Sequence, residues 1–533
     1  MLMRKIEILD STLRDGAQGE GIIYSVQDKI HICQALDKLG VHYIEAGNPG
    51  SNPKDFEFFQ EIQKVHFENA KICAFGSTRR KEIICEHDSN IQSLLAAGTE
   101  YVVLFGKSWV FQVTNIIKTS LEENLNMIKE SCAYLVKNGK HVIFDAEHFF
   151  TGYEADKEYA MKTLNAALEG GAELLCLCET RGGSMVHEVQ KAVRDVVNTY
   201  GSKVKIGIHT HNDCGLAVAN SLVAVEEGVC HVQGVLLGFG ERTGNANLST
   251  ILPDLQYKMG YECISPEKLK SLTSVCKEIS EITNISLNPQ MPFVGGNAFA
   301  HKAGMHIDAV LKNPSAYEQM SPDLVGNSRV FLMSEVAGRS MIIEKIRKFF
   351  PNVKKTDAVV EEICDKVKEL ESQGFQFEGA DGSFELMVRK LVDKYQPFFK
   401  LHYYQTNGSY PRPEEGVNSC AQIKVEVDGQ IEITAGEGDG PVNALDIALR
   451  KALERFYPLV SKIRLVDYKV RVLDGKSATA SKVRVIIEST DGEISWTTIG
   501  VSSDLIEASW IALSDSFEYK LIHDIEKRYQ KII

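Results

Sequence analysis

The sequence predicts an α/β chain: a (β/α)8 TIM barrel, then a helical subdomain, then a C-terminal α+β domain with pseudo-twofold symmetry. Three observations predict this. Short apolar runs alternate with amphipathic segments eight times in the first ~245 residues, the alternation stops after residue 285, and the last ~115 residues carry an internal repeat.

The runs are IEILD (6–10), YIEAG (43–47), ICAFG (72–76), YVVLF (101–105), VIFDA (142–146), LLCLC (174–178), KIGIH (205–209) and VQGVLLG (232–238). They are close to continuously apolar, as strands of a parallel sheet covered on both faces must be. Helical patterns lie between them. In SLEENLNMIKESCAYLVKNG, Leu121, Leu125, Ile128, Cys132 and Leu135 make one face, and Asn138-Gly139 stops the helix. DKEYAMKTLNAALEGG behaves alike and ends at Gly170-Gly171. Eight such units at this length predict a closed barrel, with an open doubly wound sheet as the alternative. No GxGxxG or GxxxxGK[ST] follows any run, which weakens dinucleotide and P-loop readings.

Beyond the barrel (1–285), residues 286–330 are rich in Asn, Pro and Gly, and 334–395 read as helical. Thr356 is expected to cap a helix with Val359, Val360, Ile363, Val367 and Leu370 on its face. This subdomain is expected to run over 286–400. Residues 401–417, including YQTNGSYPRPEEG, read as a hinge from their Pro, Gly and polar content. The domain over 418–533 reads as β,β,α twice. TAGEGDGPVNALDIAL (434–449) and TIGVSSDLIEASWIAL (498–513) align at a constant offset of 64, matching Thr434/Thr498, Gly436/Gly500, Ala444/Ala508 and Leu449/Leu513. The turn before each helix, with Gly436, Gly438 and Gly440 in one copy and Gly500 and Ser502 in the other, offers free N–H groups suited to a carboxylate. Tight turns without a ligand are the plain alternative.

The 533 residues carry a net charge of −13, which argues against a nucleic-acid footprint but leaves room for a local basic pocket. The opening MLMRKIEILDSTLRDG has no signal-peptide h-region, and no stretch approaches ~18–20 apolar residues, so no membrane span is expected. The 12 cysteines include no CxxC pair, and Cys176 and Cys178 read as alternate strand residues rather than a zinc site. A reducing cytoplasm is the simplest account.

Chemistry concentrates where the runs stop. In GIHTHND (207–213), His209 and His211 share a face if the segment is a strand, with Thr210 opposite. On a helix they would be about 200° apart. They end the seventh run, at the rim where barrel active sites form. An isolated H-x-H is also compatible with structural or solvated histidines. Other run ends add company: Arg14 and Asp15 after the first, Glu147 and His148 after the fifth, Glu179, Thr180 and Arg181 after the sixth, and Glu241, Arg242, Asn245 and Asn247 after the eighth. Asp15 with two His makes a mixed N/O set with open positions, suited to Mn2+, Mg2+, Zn2+ or Co2+. An open position can polarise a carbonyl oxygen, and an adjacent Arg can bind a carboxylate or developing oxyanion. The residues point to a metal-assisted reaction on an oxo acid, with ordinary solvated loop charges as the alternative.

TLRDGAQ, HTHNDCGLAVAN and GERTGNANL resemble the signatures of the metal-dependent acyl-CoA-condensing TIM-barrel family, the 2-isopropylmalate, homocitrate and citramalate synthases. The resemblance covers nearly the whole chain. FVGGNAFAHKAGMHIDAVLKNPSAYE (293–318) is similar to the segment that supplies the family's catalytic His, and GDGPVNALDIALRKAL and DYKVRVLDG are similar to its effector domain. RDGAQGEG, YIEAGNPGSNPKDFEFF and FDAEHFFTGY resemble the citramalate synthase branch most.

That resemblance implies a divalent metal on Asp15, His209 and His211, with Asn245 as a fourth ligand, chelating a 2-oxo acid through its keto and carboxylate oxygens. It implies that Arg14 stabilises the keto oxygen as it becomes an alkoxide, and that Glu147 and Thr180 contact or orient the oxo acid. His306, with Asp308 near it, assists removal of a methyl proton from acetyl-CoA, and Tyr317 helps the later thioester hydrolysis. His306 and Tyr317 follow the barrel and are expected to reach a neighbouring subunit's site. The implied reaction is an acyl transfer: pyruvate, acetyl-CoA and water give citramalate and CoA, in isoleucine synthesis. Sister synthases acting on 2-oxoisovalerate or 2-oxoglutarate are the alternative, and a metal-dependent aldolase or lyase a more remote one. The C-terminal domain is expected to bind isoleucine or leucine as feedback effector, in a homodimer. The chain departs from its branch at Ala46 and Asn48 (Gly and Trp in the branch), at Glu179-Thr180-Arg181 (DTNGG) and at Leu237 (Asn). These departures bear on which 2-oxo acid is used.

Overall fold

A computed structural model of the chain describes residues 4–302, 304–331, 339–347, 349–351, 353–354, 358–377, 379–392, 395–410, 417–473, 481–492 and 494–530. It divides into two compact units, Met1–Ala300 with Glu318–Val330, and His301–Tyr317 with Phe331–Ile533. Among the described residues no helix is long and apolar enough to cross a membrane.

The first unit is the expected closed barrel of eight parallel strands, with β1 pairing with β8. The strands are β1 Glu7–Asp10, β2 Tyr43–Glu45, β3 Lys71–Ser77, β4 Tyr101–Lys107, β5 His141–Glu147, β6 Leu174–Glu179, β7 Lys205–Thr210 and β8 His231–Gly234. Each coincides with an apolar run. The eighth is shorter than its run, because Leu237 adopts a left-handed φ of 70° within a 3-10 turn over Leu236–Gly238. A leucine tolerates that conformation poorly, and the ladder ends before it.

Strand parity sorts the side chains. Ile8, Ile44, Ala74, Val102, Leu104, Val142, Phe144, Leu175, Leu177, Ile206, Ile208 and Val232 pack outward on the helices. Leu9, Cys73, Val103, Ile143, Leu174, Cys176 and Cys178 pack inside. The helices are locally specified too. Val26–Leu39 opens on a capping box in which Asp28 N donates to Ser25 Oγ at 3.1 Å and Ser25 N to Asp28 Oδ2 at 2.8 Å. Such a cap contributes about 1 kcal/mol. The helix closes on Gly40 at φ 95°. Leu121–Lys137 is capped by Ser120 and buries Ile128, Cys132 and Leu135, with Leu121 and Leu125 half-buried on the same face.

The segment after the barrel differs from the expected subdomain. Phe293, Val294, Phe299 and Val325 bury against the barrel's outer core, so 318–330 stays with the first unit while 301–317 goes with the second. Helix Ala358–Ser372 forms with Val360, Ile363 and Val367 buried. Thr356, its expected cap, lies outside the described residues.

In the second unit each repeat has three strands, not two. β9 Lys400–Gly408, β10 Ser419–Val427 and β11 Gln430–Gly438 form one antiparallel sheet, followed by helix Pro441–Leu453. β12 Arg464–Val472, β13 Val483–Thr490 and β14 Ser495–Ser502 form the other, followed by helix Leu505–Gln530. Part of the expected hinge, residues 401–408, is therefore strand. Its Leu401, Tyr403 and Tyr404 favour an extended, half-packed edge over a linker. Residues 411–416 lie outside the described residues.

The offset of 64 recurs atom by atom. Thr434 Oγ1 donates to Ala448 O at 2.7 Å, and Thr498 Oγ1 to Ala512 O at 2.7 Å. Gly436 and Gly500 sit within β11 and β14 rather than in the turns. A Cβ on Gly436 would lie 2.5 Å from Ala444 O, and one on Gly500 2.0 Å from Ala508 O. These glycines let each helix lie against its own strand. Gly438 is crowded in the same way, 2.4 Å from Asn443 Oδ1, whereas Gly440 caps its helix and faces open space. Ser502 Oγ donates to Glu507 and accepts from Asp504 N, while Asp504 Oδ1 accepts from Ile506 N at 2.6 Å. The second turn thus binds a carboxylate of its own chain.

Gly436→Ala and Gly500→Ala should each cost about 1–3 kcal/mol of domain stability through overpacking against helix backbone. Thr434→Val and Thr498→Val should each cost about 1 kcal/mol through the lost bond. Thermal unfolding of the four variants checks this, and members of a pair should fall together.

Candidate active site

Parity also builds the site. On β7, Ile206, Ile208 and Thr210 face outward, and Thr210 Oγ1 donates to Ala217 O at 3.0 Å in the following helix. His209 and His211 face inward. The anti bridge His211↔Asn245 and the bond from Asn212 N to Gly244 O at 3.0 Å bring the loop after β8 alongside. Asp15 reaches in from the loop after β1. Its Oδ2 lies 3.6 Å from His209 Nε2 and 3.8 Å from His211 Nε2, and the two Nε2 atoms are 3.4 Å apart. Asn245 Nδ2 donates to Asp15 Oδ1 at 3.0 Å. All four residues are buried.

Arg14 fastens this group. Its Nη1 donates to Asp15 Oδ2 at 2.6 Å and its Nε to Glu45 Oε2 at 2.7 Å, and the guanidinium lies 3.9 Å from the Phe75 ring centroid. Glu45 also accepts from Ser11 Oγ. Burial works against an ionised Asp15, yet Arg14 and the two imidazoles hold its carboxyl well below the usual carboxylate range. Burial pulls His209 down to about 3 and lowers His211 too, against the pull of Asp15. Both imidazoles are therefore neutral at ordinary pH, with ring nitrogens converging on one anionic oxygen.

This donor set fits a divalent cation. One carboxylate oxygen and two imidazole nitrogens lie within 4.8 Å of one another. The Nε2–Oδ2 separations are too long for hydrogen bonds, and the buried Asn245 Oδ1 has no hydrogen-bond partner. A mixed N/O set without sulfur suits a hard or borderline ion.

Around these ligands lies a cavity of about 240 Å³. Glu147 and Thr180 line it. Lys107 Nζ bonds to Glu147 Oε2, and Thr180 Oγ1 accepts from His148 N at 2.9 Å. Arg242 ties three strand ends: it grips Asp213 with Nε and Nη2 at 2.8 and 3.0 Å and donates from Nη2 to Thr180 O at 3.0 Å. The remaining wall is Gln18, Phe75, Phe105, Asp145, Cys178 and Glu241, with Phe75 and Phe105 stacked at 5.0 Å. Asn48, Arg181 and Leu237 do not line this cavity. Asn48 instead accepts from Gly50 N at 2.9 Å and shapes the loop after β2.

Glu45, Asp145, Phe75 and Phe105 are site residues that motif reading misses. A signal exists for the two acids: a carboxylate inside an apolar run, on the inward parity, as in YIEAG and VIFDA. His306, Asp308 and Tyr317 belong to the second unit. His306 is exposed on helix Gly304–Lys312, and its ring stacks on Tyr317 at 4.1 Å. Asp308 pairs with Lys312 at 2.6 Å.

A family profile described as HMGL-like matches residues 5–279. The homocitrate synthase post-HMGL domain-like profile matches 293–374, and the LeuA allosteric (dimerisation) domain profile 378–521. An (R)-citramalate synthase of Aquifex aeolicus is 47% identical over 526 residues, 99% of this chain and 99% of that protein. The (R)-citramalate synthase of Sulfolobus acidocaldarius is 46% identical, with 98% of both chains covered. The chain belongs to the citramalate synthase branch of the HMGL-like family. A 2-isopropylmalate synthase of Lysinibacillus sphaericus is 29% identical over 538 residues, 98% of this chain and 99% of that protein. HMGL-like proteins are metal-dependent, and this branch member carries a buried N/O set that can hold the ion.

His209→Ala should weaken Mn2+ binding by more than the roughly 10–100-fold that losing an outer partner costs, and Glu45→Gln should fall within that range. Calorimetric titration of the metal-stripped chain checks both.

Proposed function

We propose that the chain is a citramalate synthase, condensing pyruvate with acetyl-CoA and hydrolysing the thioester to release citramalate and CoA. One observation carries this reading: identity of 46–47% to (R)-citramalate synthases over nearly the whole chain, with the N/O set, Arg14, Glu147, Thr180 and His306 all present. The barrel over 1–285 is assigned the chemistry, and 418–533 the regulation.

A divalent cation on Asp15, His209 and His211, with Asn245 beside them, supplies polarisation of the keto oxygen of a 2-oxo acid. Arg14, fixed by Glu45 and Phe75, has its guanidinium at the same edge of the cavity and stabilises the negative charge that develops on that oxygen. Glu147 and Thr180 orient the oxo acid. Phe75 and Phe105 form an aromatic wall of the cavity of about 240 Å³ that receives the oxo acid. His306, backed by the Tyr317 ring, removes a proton from the acetyl methyl group, and the carbon so freed attacks the keto carbon. Water then cleaves the thioester, with CoA as the leaving group.

Release of free thiol from acetyl-CoA should be fastest with pyruvate. Faster turnover of 2-oxoisovalerate or 2-oxoglutarate would move the chain to a sister synthase. His306→Ala should abolish acetyl-CoA consumption while Mn2+ binding stays, a loss that an aldolase would not show.

The C-terminal domain is assigned a homodimer contact and a branched-chain amino acid effector, isoleucine or leucine, in keeping with its LeuA allosteric (dimerisation) profile. Calorimetry of the full chain should show heat with one of the two amino acids and none with alanine. Silence with both would remove the assignment.

A further inference from the structure

The floor of the cavity holds a second set of metal-binding side chains that the reaction above does not use. Cys176 and Cys178 have the inward parity of β6. The neighbouring strand β5 pairs with it in a register that sets Asp145 beside Cys176. The two sulfurs and one Asp145 carboxylate oxygen all lie within 4.8 Å of one another. In sequence the C-x-C reads as alternate strand residues, because its third member comes from another strand. All three are buried, yet Asp145 and Cys178 line the cavity, so an ion entering it reaches them. Cys178 also pairs with His209 across β6 and β7, which puts this set next to the N/O set.

We propose that Asp145, Cys176 and Cys178 form a thiophilic metal site, which takes Zn2+ or Cd2+ and, when filled, obstructs the oxo-acid cavity above it. Thiolate sulfur selects soft and borderline cations, whereas the N/O set accepts harder ions such as Mn2+ or Mg2+. The two sets therefore differ at the extremes, Cd2+ favouring the sulfurs and Mn2+ or Mg2+ the N/O set, while borderline Zn2+ suits either. Burial holds the Cys176 thiol well above its ordinary range, and burial with the nearby Glu45 pushes Asp145 up to about 8. Without a cation the site is filled by protons and bears no excess charge. A divalent cation forms two metal–sulfur bonds and one metal–oxygen bond, and the two thiol protons and the carboxyl proton leave to solvent. No atom changes oxidation state.

The test uses the full chain with the exposed Cys214 and Cys420 changed to Ser and the N/O set saturated with Mn2+. Cd2+ is titrated while the ultraviolet charge-transfer band of the cadmium–thiolate bond is recorded. The band should saturate at one Cd2+ per chain, vanish in Cys176→Ala, and require at least about tenfold more Cd2+ in Asp145→Asn. Acetyl-CoA consumption should fall as the band grows, and in Cys176→Ala the Cd2+ needed for half-inhibition should rise about tenfold or more. No thiolate band at one equivalent, or an unchanged band in Cys176→Ala, overturns the proposal. Should Cys176→Ala lose Mn2+ binding and hence its fold, the Asp145→Asn titration decides, an unchanged Cd2+ requirement counting against it. The band is read without any turnover, so a wrong choice of oxo acid leaves the outcome intact.

Discussion

One buried guanidinium organises the mouth of the barrel. Arg14 lies on the Phe75 ring and bonds to Asp15 and Glu45, two carboxylates that the strand ends take out of water. An unpartnered buried charge costs several kcal/mol, so neither acid is tolerable there without this partner. One guanidinium thus faces two carboxyl groups beside two neutral imidazoles. An N/O set so arranged suits a divalent cation. In the proposed function a cation held there lies within reach of the arginine, which would meet negative charge appearing on a bound oxygen. Under the proposed function, binding and catalysis share one electrostatic arrangement.

The second unit depends on a different constraint, the closeness of helix and strand. Gly436 and Gly500 admit helix backbone at a distance no side chain permits, and Thr434 and Thr498 bond across the contact. The two copies are alike in this core and unlike outside it. Ile499, buried, and Ile486, half-buried, on the outer face of the second sheet, pack with Ile363, Val367 and Phe384 of the helices before β9. Ile431 and Ile433 of the first sheet are 56% and 55% exposed. Duplication supplied two equal frameworks, and their surfaces were put to different uses.

Much of the barrel site was legible before any coordinates. Eight apolar runs became eight strands, and the i, i+2 spacing of His209 and His211 sent both into the interior, as strand geometry requires. Asp15 joined them because all parallel strands end at one rim. Glu45 and Asp145 escaped notice because motif reading looks past the strand ends, whereas these acids sit inside the runs. The hinge was misplaced because Asn407, Gly408 and the prolines outweighed the aromatic residues just before them. The glycines of the repeat were read as turn formers, but two of them serve helix packing inside strands, a role that appears only once the helix is laid down.

The sequence by itself determined the fold class, the repeat, the candidate metal-binding residues His209, His211 and Asp15, and the branch of the family. These are local or periodic features, carried by spacing and parity along one segment at a time. Only the tertiary structure decided which acids Arg14 holds, that Phe75 and Phe105 bound the cavity at the candidate site, that Asn48, Arg181 and Leu237 stand outside it, and that Asp145 lies together with Cys176 and Cys178. Each of those joins residues from different strands, and barrel closure, which fixes the register between strands, is a property of the whole chain and not of any stretch of it.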